Sequence, residues 1–110
     1  MNFYIGDSIE KLNIADSNVE IDDDLYEYVY RNREIFGNGL DTFLGIDQFS
    51  DSLIYLKEVR KLQEECEALL ISGILKQYQH ENEAEAAINE LIDICDEAYF
   101  RRLGLISIRD

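Results

Sequence analysis

Few side chains in this chain could perform nucleophilic catalysis. Its 110 residues include one histidine, His80, and two cysteines, Cys66 and Cys95. A catalytic cysteine needs a base within hydrogen-bonding reach of its thiol. His80 lies in a polar break between two apolar helical patterns, whereas both cysteines lie on the apolar sides of those patterns. We therefore expect no Cys–His pair, no catalytic residue and no enzymatic activity.

Oxygen ligands with nearly the spacing of a calcium-binding loop occur between residues 16 and 27. The matching residues are Asp16, Asn18, Glu20, Asp24 and Glu27. An EF-hand loop needs glycine at its sixth position for a sharp turn, and that position is Ile21 here. One histidine and two distant cysteines also fall short of the ligand set of a structural zinc site. The sequence therefore predicts neither a metal site nor another cofactor.

Acidity is the most informative property of the composition. The chain has 24 Asp and Glu residues against 10 Lys and Arg, a formal net charge of −14. Binding to nucleic acids or to anionic membrane surfaces needs cationic side chains, so this balance argues against both activities. Residues 1–30 carry a net charge of −7 and residues 81–110 carry −5, whereas residues 31–80 carry only −2. The acidity is therefore regional.

Two acidic clusters in these regions are candidate contacts for a basic protein. The first comprises Asp22, Asp23, Asp24 and Glu27, with Tyr26 among them. The second comprises Glu90, Asp93 and Glu97. If Ala84 marks the centre of the apolar side of their helix, these three residues fall on the opposite side. Tyrosine beside carboxylates can hold Arg and Lys through hydrogen bonds and cation–π contacts. Tyrosines at positions 26, 28 and 30 point in different directions on a helix, so at least one should enter the core.

Residues 22–36 have the charge order of a helix. Three aspartates open the stretch, two arginines stand near its end and Gly37 follows. This order complements the helix macrodipole. The tyrosine-rich middle is also prone to form strands. We predict a shorter helix near 22–36.

The second half of the chain predicts a long antiparallel helical hairpin. Apolar residues recur at intervals of three and four, which indicates helices at about 51–77 and 83–103. With the loop centred near residue 80, Cys66 should lie near Cys95. Gly73 should face Ala87 and allow the two backbones to approach closely.

These elements predict one mainly α domain spanning residues 1–110, a helical bundle built on the hairpin. Leu, Ile, Val and Phe supply 35 of the 110 residues, enough for a folded core. The apolar runs at 3–5 and 105–109 could add a minor β pair formed by the two ends of the chain. The sequence MNFYIGDSIEKLN does not resemble a signal peptide, so we expect a cytoplasmic protein with reduced thiols.

Small size, strong acidity and the lack of a catalytic constellation resemble the immunity proteins of bacterial toxin–immunity pairs, including those of contact-dependent growth inhibition. The segment GIDQFSD at 45–51 is similar to a G-I-D-P-Y-x-D pattern of short bacterial proteins of this kind, with Gln48 and Phe49 replacing proline and tyrosine. The resemblance implies binding to a cognate toxin, commonly a basic nuclease, and transfers no functional residue.

Other functions fit the same composition. A DNA-mimic inhibitor of the antirestriction type would carry acids along one continuous face, which the nearly balanced residues 31–80 disfavour. A helical adaptor or homodimer would use the hairpin for assembly. We expect an inhibitor that contacts its basic partner through Asp22, Asp23, Asp24, Tyr26, Glu27, Glu90, Asp93 and Glu97. We expect no direct contact with nucleic acid or a membrane, and the oligomeric state stays open.

Overall fold

The computed structural model describes residues 1–13 and 16–109, which form four α-helices and a small antiparallel sheet. The strands are β1 (Asn2–Ile5), β2 (Val19–Glu20), β3 (Ser52–Ile54) and β4 (Leu105–Ile108). The helices are α1 (Asp23–Arg31), α2 (Asp41–Leu44), α3 (Leu56–Ser72) and α4 (Glu81–Phe100). Short 3₁₀ helices span Ile9–Lys11, Arg33–Phe36 and Ile74–Gln77. The fold is therefore mainly α, but it is not a pure helical bundle.

The predicted helical hairpin is confirmed in α3 and α4, which pack against each other. The apolar sides of both helices are fully buried, including Leu62 and Cys66 of α3 and Leu91 and Cys95 of α4. The two thiols lie close enough for Cys95 to raise the pKa of Cys66, in addition to the larger effect of burial. The proximity of the cysteines expected from the hairpin geometry is therefore confirmed.

The expected role of Gly73 is wrong. Gly73 follows the last residue of α3 with φ of +76°, a left-handed conformation in which glycine is favoured. An added Cβ at this position would meet no atom within 4 Å. Gly73 therefore ends the helix and is not needed for close approach to α4.

The ends of two predicted helices are also corrected. Residues 52–54 form strand β3 instead of the first turn of α3, and Leu53 pairs with Ile106 of β4. The helix predicted near 22–36 stops at Arg31, where Asn32 caps it, and the chain continues as a 3₁₀ helix. The apolar residues of β3 precede the helical pattern of α3 and look like its first turn in the sequence. Their backbone nevertheless pairs with β4 in the sheet.

The sheet has the strand order β2-β1-β4-β3, and each neighbouring pair is antiparallel. The minor β pair expected from the chain ends is confirmed, because Phe3 of β1 lies opposite Ser107 of β4. One face of the sheet, which includes Phe3 and Leu105, joins the core formed with the helices. None of the helices in the described part of the chain is long and apolar enough to cross a membrane.

A Schellman motif ends α4. The amide of Leu103 donates to the carbonyl of Ala98 at 2.9 Å, and the amide of Arg102 donates to the carbonyl of Tyr99 at 3.1 Å. Arg102 has φ of 58°, a left-handed conformation usually taken by glycine. An arginine therefore occupies a backbone position at which a side chain carries a conformational cost.

The GIDQFSD segment has a structural role. Ile46 is buried, and Asp47 accepts hydrogen bonds from the Phe49 amide at 2.8 Å and the Ser50 hydroxyl at 2.9 Å. Both bonds lower the pKa of Asp47, and the bond from the Phe49 amide has the larger effect. Asp51 accepts the amide of Arg109 at 3.1 Å and so joins the segment to the end of β4. The segment shapes the turn that leads into β3.

Candidate functional site

The candidate site is a seam along which the chain from Asp16 to Asp22 runs beside helix α4. Strand β2, in the middle of this stretch, contacts α4. Strand β2 belongs to the sheet, and α1 begins immediately after it, so both sides of the seam are anchored in regular structure. Two hollows lie along this seam and share α4 as one wall. We call the two hollows together the acidic crevice.

Helix α4 presents one stripe of residues to the crevice. The stripe comprises Glu83, Ala87, Glu90, Ile94, Glu97 and Arg101. Its members are three or four residues apart, the spacing at which helical side chains lie on one side. The helix buries its adjacent side, which includes Ile88, Leu91 and Cys95, so the stripe is fixed in orientation by the core.

The first hollow is lined by both acidic and apolar residues. Asp16 lines it from one side, and Glu90, Asp93 and Glu97 line it from α4. Apolar residues of β1, β2 and α4 also line it, namely Ile5, Val19 and Ile94. Arg101 stands at the end of the α4 stripe and is the single cation of this lining.

The second hollow lies nearer the start of α4. Glu20 and Asp22 line it from the side of β2, and Glu83 lines it from α4. Tyr78 and His80 also line it. Burial raises the pKa of Tyr78, and the nearby charges of Asp22 and Asp24 raise it further. The first acidic cluster therefore acts electrostatically on this end of the crevice.

The crevice collects seven carboxylates and one arginine. The carboxylates are Asp16, Glu20, Asp22, Glu83, Glu90, Asp93 and Glu97. Ion pairs between described residues join Arg31 to Glu27 and Arg60 to Asp96, so no crevice carboxylate is neutralised by a paired cation within that part of the chain. Uncompensated charge of one sign along a concave surface produces a strong local potential that attracts cations.

The structure brings the two predicted clusters together in part. Glu90, Asp93 and Glu97 are exposed and line the crevice as a group. Asp22 lines it too, although one carboxylate oxygen caps α1 by accepting the Leu25 amide at 2.8 Å. Both clusters therefore contribute to one surface.

The remaining acids of the first cluster lie outside the crevice lining. Asp23, Asp24 and Glu27 are exposed on α1. Glu27 pairs with Arg31 at 3.3 Å, one helical turn away. Of the three, Asp24 acts on the crevice, because its charge helps to raise the pKa of Tyr78 in the lining.

Tyr26 corrects the expected contact set. Its side chain is buried, stacks on Phe43 with ring centroids 5.7 Å apart, and belongs to the core. Its hydroxyl lies 2.7 Å from the carbonyl oxygen of Leu44 and 3.2 Å from that of Ile46. Burial is the main cause of its raised pKa. Tyr26 is therefore the core tyrosine of the three, and a partner cannot reach it without local unfolding.

Three crevice carboxylates were missed as binding residues in the sequence. Asp16 and Glu20 were considered only as ligands of a calcium-binding loop, which the sequence does not support. Glu83, at the start of α4, was not considered. The signal that could have found Glu83 was its helical spacing from Glu90 and Glu97. No sequence signal places residues 16–22 against α4, because this contact depends on the pairing of β2 with β1.

The candidate catalytic side chains remain apart. Both cysteines are buried, and burial raises their thiol pKa values, that of Cys95 to about 12. His80 is exposed, and its ring makes an edge contact with Tyr78 at 6.0 Å. No group of three or more His, Cys, Asp or Glu side chains in the described part of the chain has metal-binding geometry. The crevice is a concave surface lined mainly by carboxylates.

The chain matches no protein-family model, no curated protein and no solved structure.

Proposed function

We propose that this protein is an immunity protein that binds and neutralises a basic bacterial toxin, its acidic crevice receiving cationic side chains of the toxin. A nuclease domain is the toxin class that fits best, because its active site is cationic in order to bind nucleic acid. The inhibitor acts by occupying that cationic surface or one beside it. The resemblance to immunity proteins supplies the biological role, and the crevice supplies the physical means.

The observation that carries the proposal is the convergence of carboxylates from two distant parts of the sequence. Asp16, Glu20 and Asp22 come from the region around β2, whereas Glu83, Glu90 and Glu97 come from α4. Bringing these charges together costs folding free energy, since like charges repel. A cationic partner recovers that cost on binding and associates faster in the attractive field.

The proposal is tested by growth rescue and by binding. The reading frame next to this gene is cloned, and its C-terminal domain is expressed in a bacterial host with or without this protein. The expected result is growth arrest by the domain alone and rescue on co-expression. Calorimetry with the two purified proteins should show a complex whose affinity falls as salt concentration rises.

Charge-matched variants locate the binding surface. The variant E90Q/D93N/E97Q removes three charges from the crevice, and E34Q/E64Q/E67Q removes three from exposed positions outside it. The crevice variant should weaken binding by at least tenfold, mainly through slower association, whereas the control should change it by less than about threefold. Equal effects of the two variants would remove the crevice from the proposal, and failure of rescue with no complex would remove the function.

A further inference from the structure

A second groove, opposite in character to the acidic crevice, lies between the start of α3 and the end of α4. We call it the cationic groove. Its lining includes Lys57 and Arg60 of α3, and Tyr99, Phe100 and Arg102 around the end of α4. Asp96 is its single acid. Three of the chain's 10 basic residues therefore line this one groove, on a protein with net charge −14.

The aromatic side chains of the groove are available to a ligand. Phe100 is 87% exposed, and Tyr99 is 41% exposed. Phe100 therefore contributes little to the core, and large apolar residues gathered at the surface are typical of interaction sites. Leu56, at the first position of α3, adds a half-buried aliphatic side chain to the same lining.

The three cationic side chains of the groove differ in how many partners they have within the protein. Arg60 stacks over the Tyr99 ring at 3.9 Å, donates to Gln63 at 2.6 Å and pairs with Asp96 at 3.4 Å. Its guanidinium is held in place with donors to spare. Lys57 and Arg102 are exposed and form no ion pair with any described residue. Two free cations and one positioned cation thus flank the exposed aromatics.

The backbone conformation of Arg102 is an independent indication that its side chain has a function in the groove. It occupies the left-handed position of the Schellman motif, where glycine or asparagine would fit without strain. Despite that cost, the residue at this position is an arginine that lines the groove. Backbone strain of this kind concentrates at functional positions.

We propose that the cationic groove binds an acidic, amphipathic segment of a protein, with carboxylates on Lys57 and Arg102 and an apolar side chain on Phe100. The charge of the groove is complementary to such a segment, and its aromatics match the apolar side chains. A nucleic acid is disfavoured because its phosphates continue beyond the groove onto the acidic rest of the surface, whereas a short protein segment can confine its carboxylates to the groove. A second copy is disfavoured because each copy carries −14 and a two-fold contact would oppose like cations.

The inference does not depend on the toxin. Its test uses a short fluorescein-labelled peptide of repeated Glu-Glu-Phe units, with a Gln-Gln-Phe peptide as the uncharged control. The acidic peptide should bind the full-length protein with an affinity that falls as salt rises, and the control peptide should not bind. Amide chemical-shift changes should fall at 56–60 and at Tyr99, Phe100 and Arg102, and should spare the carboxylate residues of the acidic crevice.

Two variants should weaken binding without harming the fold. K57Q and R102N should each reduce affinity about two- to fivefold, the range for an exposed charge contact. Asparagine tolerates the left-handed conformation, so R102N keeps the end of α4 intact. K11Q and K76Q, exposed lysines outside the groove, give the same charge change and should leave affinity within about 1.5-fold.

A third variant should strengthen binding, which misfolding cannot imitate. D96N removes the single acid of the groove and frees Arg60 from its ion pair. Affinity for the acidic peptide should rise about two- to fivefold. No binding of the acidic peptide, or equal loss in the groove and control variants, would overturn the proposal. So would equal binding of single-stranded DNA, or a dimer in sedimentation that R102N dissolves.

Discussion

Replacement of Glu65 by alanine should destabilise the protein through the loss of two hydrogen bonds that hold α2. The carboxylate of Glu65, on α3, accepts the amide of Phe43 at 2.7 Å and that of Thr42 at 3.1 Å. Helix α2 has only four residues, and Leu40 before it provides no side-chain cap. Glu65 therefore supplies from another helix the acceptors that the first turn of α2 lacks.

The expected cost follows from the type of these bonds. A hydrogen bond to a charged group contributes roughly 1.5–3 kcal/mol to stability. Glu65 is half-buried, so the lower end of that range applies and two bonds give about 3 kcal/mol. Glutamine keeps one carbonyl acceptor but turns an N–H₂ group toward the second amide. The variant E65Q should therefore lose about half as much, roughly 1.5 kcal/mol.

Urea unfolding followed by circular dichroism measures this cost, and E64A is the matched control. Glu64 is the neighbouring residue on α3 and is exposed, and its carboxylate accepts no hydrogen bond from a described residue. E64A should stay within about 0.5 kcal/mol of the parent. Amide exchange should accelerate at Thr42 and Phe43 in E65A alone. If E65A and E64A unfolded at the same urea concentration, the argument that Glu65 holds α2 would be refuted.

Further predictions concern the buried tyrosine, the left-handed arginine and the thiols. Y26F should lose about 1 kcal/mol in urea unfolding, because the Tyr26 hydroxyl donates its single hydrogen to the carbonyl of Leu44 at 2.7 Å, and should leave the affinity for the proposed toxin partner unchanged. R102G should raise the unfolding free energy by about 1 kcal/mol, because glycine relieves the strain at φ of 58°; a destabilised R102G would contradict this. Burial raises the pKa of Cys95 to about 12 and that of Cys66 well above its usual range. The unfolded chain then loses its thiol protons first, so the contribution of the two thiols to stability should be constant below about pH 8.5 and fall as pH rises toward 12, less steeply in C95A. Both thiols should react with a thiol reagent only after unfolding.

The parts of the fold that depend on local periodicity could be predicted from the sequence. The apolar spacing of α3 and α4 fixed their pairing, and the proximity of Cys66 to Cys95 followed from the length of the connection. Gly73 could be read two ways, because glycine serves both for close packing and for ending a helix. Only the backbone angle at that residue distinguishes the two roles.

The parts that depend on distant contacts could not be predicted. Strand β3 is three residues long, and its partner β4 lies some fifty residues later in the chain. The same limit applies to the crevice, because the approach of residues 16–22 to α4 depends on β2 pairing with β1. The exposed side of α4 was predictable, since Glu90, Asp93 and Glu97 follow from the position of the buried side. The surface opposite them was not.

The order of strands in the sheet has a consequence for how the chain folds as it is synthesised. Strand β4 is last in sequence but central in the sheet, between β1 and β3. Strands β1 and β3 therefore lack the strand that lies between them until residues 105–108 leave the ribosome. The hairpin of α3 and α4 needs only local contacts and can form earlier, whereas the pairing of Phe3 with Ser107 closes almost the whole chain. Strand β2 pairs with β1 and contacts α4, and all three elements precede β4 in the chain, so the acidic crevice can assemble before the sheet is complete.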